Sequence, residues 1–249
     1  MLASDAMAER LTPRPLVRPA VTDLQAIDSE IRRRHLLKHP FYQAWSRGEL
    51  GLPTLRDYAT QYYWFESSFP RYVAGAYSKL RDPKQRATLL ENLVDEEGRP
   101  PTHPELWADF ASSLGVRRSR LGRPPVEPAA ARLCGTYETL TLGKSVAKAL
   151  GALYAYESIF PEVAAEKSRG LRAFYGIESS RAHEFFRVHV SADVAHGRAE
   201  RALLRDVIRS TPRAGPEAVE GTRRTLRAWW RFLDTFDHQG IADREHRAG

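Results

Sequence analysis

Cysteine is almost missing from this sequence: Cys134 is the only one in 249 residues. No intramolecular disulfide can form, and no second thiol completes a CxxC metal or redox pair. Long apolar runs are lacking too. No stretch approaches the roughly 18 unbroken apolar residues of a membrane span, and the N-terminus lacks the apolar core of a signal peptide, so a cytoplasmic protein without membrane contact is expected. Period-two alternation is nearly absent, which excludes sheet-based classes, and no βαβ unit can be drawn. Internal repeats and low-complexity tracts are absent as well.

What is present points to one helical domain. A hydrophobic share of 42% over this length is enough for a sizeable core. The net charge of +7 would suit a nucleic-acid partner if the basic residues were clustered among aromatics. They are spread instead, and the densest group, Arg117, Arg118, Arg120 and Arg123, lies in a Gly/Pro-rich connection with no aromatic among them. No nucleic-acid partner is expected. Pro13, Pro15 and Pro19 make residues 1–20 a flexible leader, followed by a single domain over 21–240 and a polar tail over 241–249. Helical periodicity predicts helices near 22–38, 39–47, 54–80, 83–97, 104–114, 128–168, 170–174, 178–209 and 217–238. Asp23 is the expected N-cap of the first, and Gly48 and Gly51 punctuate the end of the second.

Three segments carry chemistry. In RAHEFFRVHVSADVAHGRAERALL, His189, Asp193 and His196 follow one another at four and three residues, which on a helix places them within an arc of roughly 60°. That is ligand spacing; the alternative is a solvated face, against which Phe185, Phe186, Val188 and Val190 argue. In LGALYAYESIFPEV, Glu157 stands among Leu153, Tyr154, Tyr156, Ile159 and Phe160. A carboxylate there needs a charge partner, either a metal or an Arg or Lys, and Pro161 implies a kink just beyond it. In LLENLVDEEGRPPTHPELW, Glu96 and His103 are seven residues apart across Gly98, Pro100 and Pro101. Glu97 and Asp95 are alternatives to Glu96, and His103 directly before Pro104 suits a helix start. Three imidazoles and three carboxylates without a thiolate form the mixed set that suits iron or manganese better than zinc, and helical bundles build such sites from facing helices.

The run from HPFYQAW through LRDYATQYYWFESSFPRY and ENLVDEE to THPELW, LYAYESIFPEV and the HVSADVAH helix resembles the haem-oxygenase-like di-metal oxidases, the fold shared by the TenA and PqqC proteins. Within them it is most similar to the CADD-type para-aminobenzoate synthases, over about residues 25–238. The resemblance implies an all-α, haem-oxygenase-like seven-helix bundle holding two metal ions, Fe/Fe or Mn/Fe, which react with dioxygen and an external reductant. It implies Glu96, His103, Glu157, His189, Asp193 and His196 as their ligands. The reaction ascribed to the family excises the ring of one of the protein's own tyrosines to make para-aminobenzoate for folate synthesis, with a lysine implicated as amino donor. The matching residues are Tyr42 and Lys167. From composition alone they would be a half-buried core aromatic and a solvated helix residue. Tyr58 and Tyr156 are further candidates for electron or radical relay, with Phe65, Phe69 and Phe160 as a dry surround. The thiaminase branch of the fold relies on a nucleophilic cysteine, and Cys134 has no activating neighbours in the sequence.

Two other readings fit the same chain. One keeps the metals and oxidises an external small molecule; the other is a non-enzymatic interaction protein with a basic docking surface. Exposed aromatics on a bundle are compatible with a homodimer.

Overall fold

The computed structural model describes residues 20–123 and 128–247, and no strand occurs among them. Ten α-helices follow in order among these residues: α1 (Ala20–Arg33), α2 (Pro40–Ser46), α3 (Leu52–Tyr77), α4 (Pro83–Glu97), α5 (His103–Ser113), α6 (Pro128–Thr141), α7 (Val146–Glu157), α8 (Phe160–Phe174), α9 (Ser180–Ser210) and α10 (Ala214–Arg247). The all-helical class stands as expected. The leader lies outside the described residues apart from Ala20, which opens α1.

Local chemistry sets most of the boundaries. Asp82 accepts from the backbone N–H groups of Lys84 and Gln85 and starts α4, and Thr102 forms a reciprocal capping box with Glu105 at the start of α5. Ser145 and Ser179 cap α7 and α9. Gly48, at φ +71°, takes the left-handed conformation that closes α2. Two expectations shift. Because α1 begins at Ala20, Asp23 lies inside its first turn rather than at the N-cap. Gly51 caps the start of α3 instead of closing α2.

The largest departure concerns the single helix expected over 128–168. It is three helices, because the chain turns at 142–145 and again at Ser158 and Ile159. Pro161 does not kink a continuous rod. It occupies the first turn of α8, where its missing N–H costs nothing.

The centre of the bundle is α7, buried from Ala149 through Glu157. It crosses α10 closely: a Cβ added at Gly151 would collide with the Ala218 carbonyl, and one at Gly221 with the backbone of Lys148. Around α7 a continuous aromatic core runs through Tyr58, Tyr62, Phe65, Trp107, Tyr156 and Trp229, with Tyr156 and Trp229 stacked at 5.2 Å and 7°. One end of this core meets α4, α5, α8 and α9, and there the polar residues converge.

Candidate metal centre and its tyrosine cluster

All six ligand candidates are buried and lie in one region. Glu96 is on the last turn of α4 and His103 opens α5. The Gly98–Thr102 turn folds the two helices back on each other, so His103 Nδ1 comes within 2.9 Å of Glu96 Oε2. Glu157 ends α7, and Asn92 on α4 donates to both its oxygens at 2.8 and 3.0 Å. His189, Asp193 and His196 share one face of α9. The His189 Nδ1 faces the Phe185 carbonyl at 2.7 Å; a carbonyl only accepts, so Nδ1 carries the proton and Nε2 presents its lone pair. His196 Nε2 donates to Asp95 at 3.0 Å, and its Nδ1 looks toward Asp193 Oδ1 at 3.7 Å without a hydrogen bond. Asp95, an alternative to Glu96 from sequence, thus orients an imidazole, and Glu97 is exposed.

Two buried carboxylates join this group that sequence reasoning did not single out. Glu66 on α3, His103 and His189 bring one donor atom each within 4.8 Å of one another, a group able to hold a metal ion. Glu200, one turn after His196, lies buried near Glu157. Both had a signal. Glu66 sits in the aromatic run YYWFESSF, as Glu157 does in its own, and Glu200 extends the stripe of His189, Asp193 and His196 by one more turn.

Burial and like charge dominate the electrostatics of the group. Burial pushes the carboxyls of Glu66, Glu157, Asp193 and Glu200 above their ordinary range, and mutual repulsion adds to it: the Glu96 charge acts on Glu66, and Glu157 on Glu200. Burial disfavours charge on His103, but Glu96, Glu66 and Asp193 outweigh it and raise the imidazole to about 9. His196 reaches about 9 for the same kind of reason, with Asp193 and Glu157 prevailing over burial. His189, buried beside His103, is held well below its usual value. Asp193 Oδ2 and His196 Nδ1 are buried without partners. A cluster of oxygen and nitrogen donors with surplus negative charge and no thiolate fits iron or manganese.

A second cluster adjoins the first through Phe160, whose ring lies 5.0 Å from His189. Lys167 on α8 is fully buried, and its Nζ has no hydrogen-bond partner. It stands 5.1 Å from the Phe160 ring centroid, 4.7 Å from Tyr62, 5.2 Å from Tyr58 and 5.5 Å from Tyr42. Burial drives its pKa well below the ordinary 10.5, with Glu66 as the opposing charge. The Tyr42 and Tyr58 hydroxyls are 2.8 Å apart, and those of Tyr62 and Tyr156 are also paired. Tyr42 and Lys167 are therefore neither half-buried nor solvated: the break at Ser158 and Ile159 redirects α8, and Lys167 points inward. Tyr62 is a further member that the sequence reading did not single out.

Helices presenting a buried nitrogen and oxygen donor set beside an aromatic core define a helical oxidase, and the chain belongs to the iron-containing redox enzymes of the haem-oxygenase-like fold; the profile of that family matches residues 56–230. It is an oxidoreductase. The chain is 38% identical over 214 residues to the 4-aminobenzoate synthase of Chlamydia pneumoniae, covering 86% of this chain and 94% of that relative. With the 4-aminobenzoate synthase of Nitrosomonas europaea it shares 37% over 219 residues, 84% of this chain and 89% of the other. Among solved structures, a CADD-like protein of unknown function from Nostoc punctiforme superposes with a TM-score of 0.70 at 19% identity, covering 88% of this chain and 99% of that one. A TenA homologue from Pseudomonas syringae does so with 0.72 at 18%, covering 91% and 97%; these two establish the fold alone. No helix among the described residues is long and apolar enough to cross a membrane.

Proposed function

We propose that this oxidase makes 4-aminobenzoate (para-aminobenzoate) from its own Tyr42, with Lys167 as amino donor. The observation that carries the reading is the placement of an unpartnered, fully buried lysine nitrogen 5.5 Å from the Tyr42 ring, in a core that adjoins the metal donors. The names of the relatives support the product. Two metal ions, Fe/Fe or Mn/Fe, held by Glu96, His103, Glu157, His189, Asp193 and His196 with Glu66 alongside, would supply oxidising power from dioxygen and an external reductant.

The chain's own groups account for the rest. 4-Aminobenzoate has seven carbons, which a tyrosine ring and its Cβ provide. The Cα–Cβ bond must break, Cβ must end as a carboxylate, and nitrogen must replace the phenolic oxygen. Lys167, kept neutral by burial, keeps the lone pair that an amino donor needs. The Tyr42 hydroxyl is hydrogen-bonded to Tyr58 at 2.8 Å, to which its proton can pass; the Tyr58 ring packs against Tyr62 at 5.6 Å, whose hydroxyl is paired with that of Tyr156, within the field of Glu66. Burial raises the Tyr42 and Tyr58 hydroxyls well above their ordinary range, so neither ionises before oxidation. Phe65, Phe69 and Phe160 surround Tyr156 at 5.2, 5.4 and 4.8 Å and exclude water.

Intact-protein and peptide mass spectrometry after iron or manganese, reductant and oxygen tests this. Loss of mass at Tyr42 together with released 4-aminobenzoate is expected, and Tyr42→Phe should release none. Product release with Tyr42 intact rejects the reading. A second reading, oxidation of an external small molecule, has one observation in its favour: 32% identity over 161 residues to the 4-chloro-allylglycine synthase of Streptantibioticus cattleyicolor, covering 64% of this chain and 62% of that protein. Substrate-dependent oxygen uptake by Tyr42→Phe would favour it.

A further inference from the structure

On the face of the molecule formed by α6 and α10, a groove of about 620 Å³ collects four arginines, Arg132 from α6 and Arg224, Arg227 and Arg231 from α10. No acidic side chain lines it among the described residues. Arg132, Arg227 and Arg231 form no ion pair among these residues. Arg224 reaches Glu220 only at 3.9 Å, and Glu220 is already held by Lys148 at 2.8 Å. Four like charges in one trough repel one another, and a bound polyanion would reverse the sign of that interaction.

An independent observation concerns the floor. Gly135 stands in the interior of α6, where glycine is the poorest helix former apart from proline. Most other helical glycines have a packing reason: a Cβ at Gly75, Gly151, Gly170 or Gly221 would collide with a neighbour, and one at Gly197 would touch Ser158 at 3.4 Å. At Gly135 an added Cβ meets nothing within 4 Å. No contact among the described residues asks for a glycine here. Its missing side chain leaves more of the groove open, which Gly135 and Ala228 line together with the four arginines.

We propose that this groove binds an organic di- or triphosphate. Guanidinium groups hold phosphate oxygens in bidentate pairs, four of them match three or four negative charges, and the volume lies within the range of small-molecule sites. None of the candidate metal-binding residues lines the groove, and the proposal does not depend on the function proposed above.

Calorimetric titration of the full chain at low salt, with inorganic pyrophosphate and ADP as probes, tests it. One-to-one saturable binding is expected, at least tenfold weaker in Arg132→Gln/Arg231→Gln and in Gly135→Leu. It should change less than twofold in Arg172→Gln/Arg205→Gln, which removes the same charge from exposed positions on α8 and α9. Gly135→Ala should raise Tm by about 2–4 °C while weakening both probes, a pairing of opposite signs that a purely structural glycine would not give. Absence of saturable binding by either probe overturns the proposal, as does equal weakening in the groove and control variants. Wild-type affinity in folded Gly135→Leu would do the same, as would tight binding of duplex DNA that ADP does not displace.

Discussion

The side-chain nitrogen of Lys167 lies 5.5 Å from the ring centroid of Tyr42, inside an aromatic cluster and without a hydrogen bond. A lysine in that position is held at a cost to stability, because a buried polar group without a partner loses its hydration and gains nothing in exchange.

That cost gives the first prediction. Lys167→Met keeps the length and apolar stem while removing the amine, so it should stabilise the fold by about 1 kcal/mol or more and abolish 4-aminobenzoate formation, with metal content unchanged. Thermal unfolding, product assay and metal analysis on one preparation check it. A destabilised variant that still forms product would contradict the role given to the amine.

Burial and the Glu96 charge push the Glu66 carboxyl well above its ordinary range, so Glu66→Gln, a near-isostere that removes the buried acid, should leave the metal-free fold as stable as wild type or more so. Its affinity for iron or manganese should fall nonetheless. Asp95→Asn weakens the orienting hydrogen bond of His196 and should lower metal affinity about 10–100-fold, less than Glu66→Gln. Competition against a chelating dye orders the two.

Stability should depend on pH through His35. Burial lowers its pKa below the ordinary 6.5, with the Glu162 carboxylate at 3.4 Å opposing, and Nδ1 accepts a hydrogen bond from the Leu37 N–H, which requires the neutral ring. The unfolded chain therefore binds this proton more readily than the folded one, and stability rises with pH. The contribution is present above about 6.5 and declines as pH falls below that value. His35→Asn retains an acceptor but does not titrate; the difference between its denaturant midpoints and those of wild type should shrink between pH 7.5 and 5.5.

Cys134 should be chemically silent. Burial raises its thiol to about 11, so Ellman's reagent at pH 8 should leave the native protein unmodified and titrate one thiol after guanidinium. Fast labelling of the native state would reopen a nucleophilic role.

Much of the fold was legible because helix periodicity and caps act over a few residues. Ser179 caps α9 by a contact three positions away, beside the start expected near 178, and His189, Asp193 and His196 share a face through backbone geometry alone, whereas the cap at Ser145 fell inside the single helix expected over 128–168. The break at Ser158 and Ile159 was not legible: the pattern on both sides is helical, and packing of α7 against α10 and α9 decides that the axis turns there. Lys167 followed from that error, since along a continuous rod its ammonium would have reached solvent. Glu66 was passed over for a different reason. It comes from a helix whose apolar stripe reads as core, and its donor role depends on meeting α5 and α9.

The sequence by itself determined the helical class, the lack of any intramolecular disulfide and the α9 stripe of His189, Asp193 and His196, because each depends on residue types and on spacing within one segment. Only the tertiary structure decided that Glu66 and Glu200 join the donor set, that Lys167 faces Tyr42, and that Arg132 stands across a groove from Arg231. Burial and Coulomb interaction act through space, and no local pattern encodes which distant helices will meet.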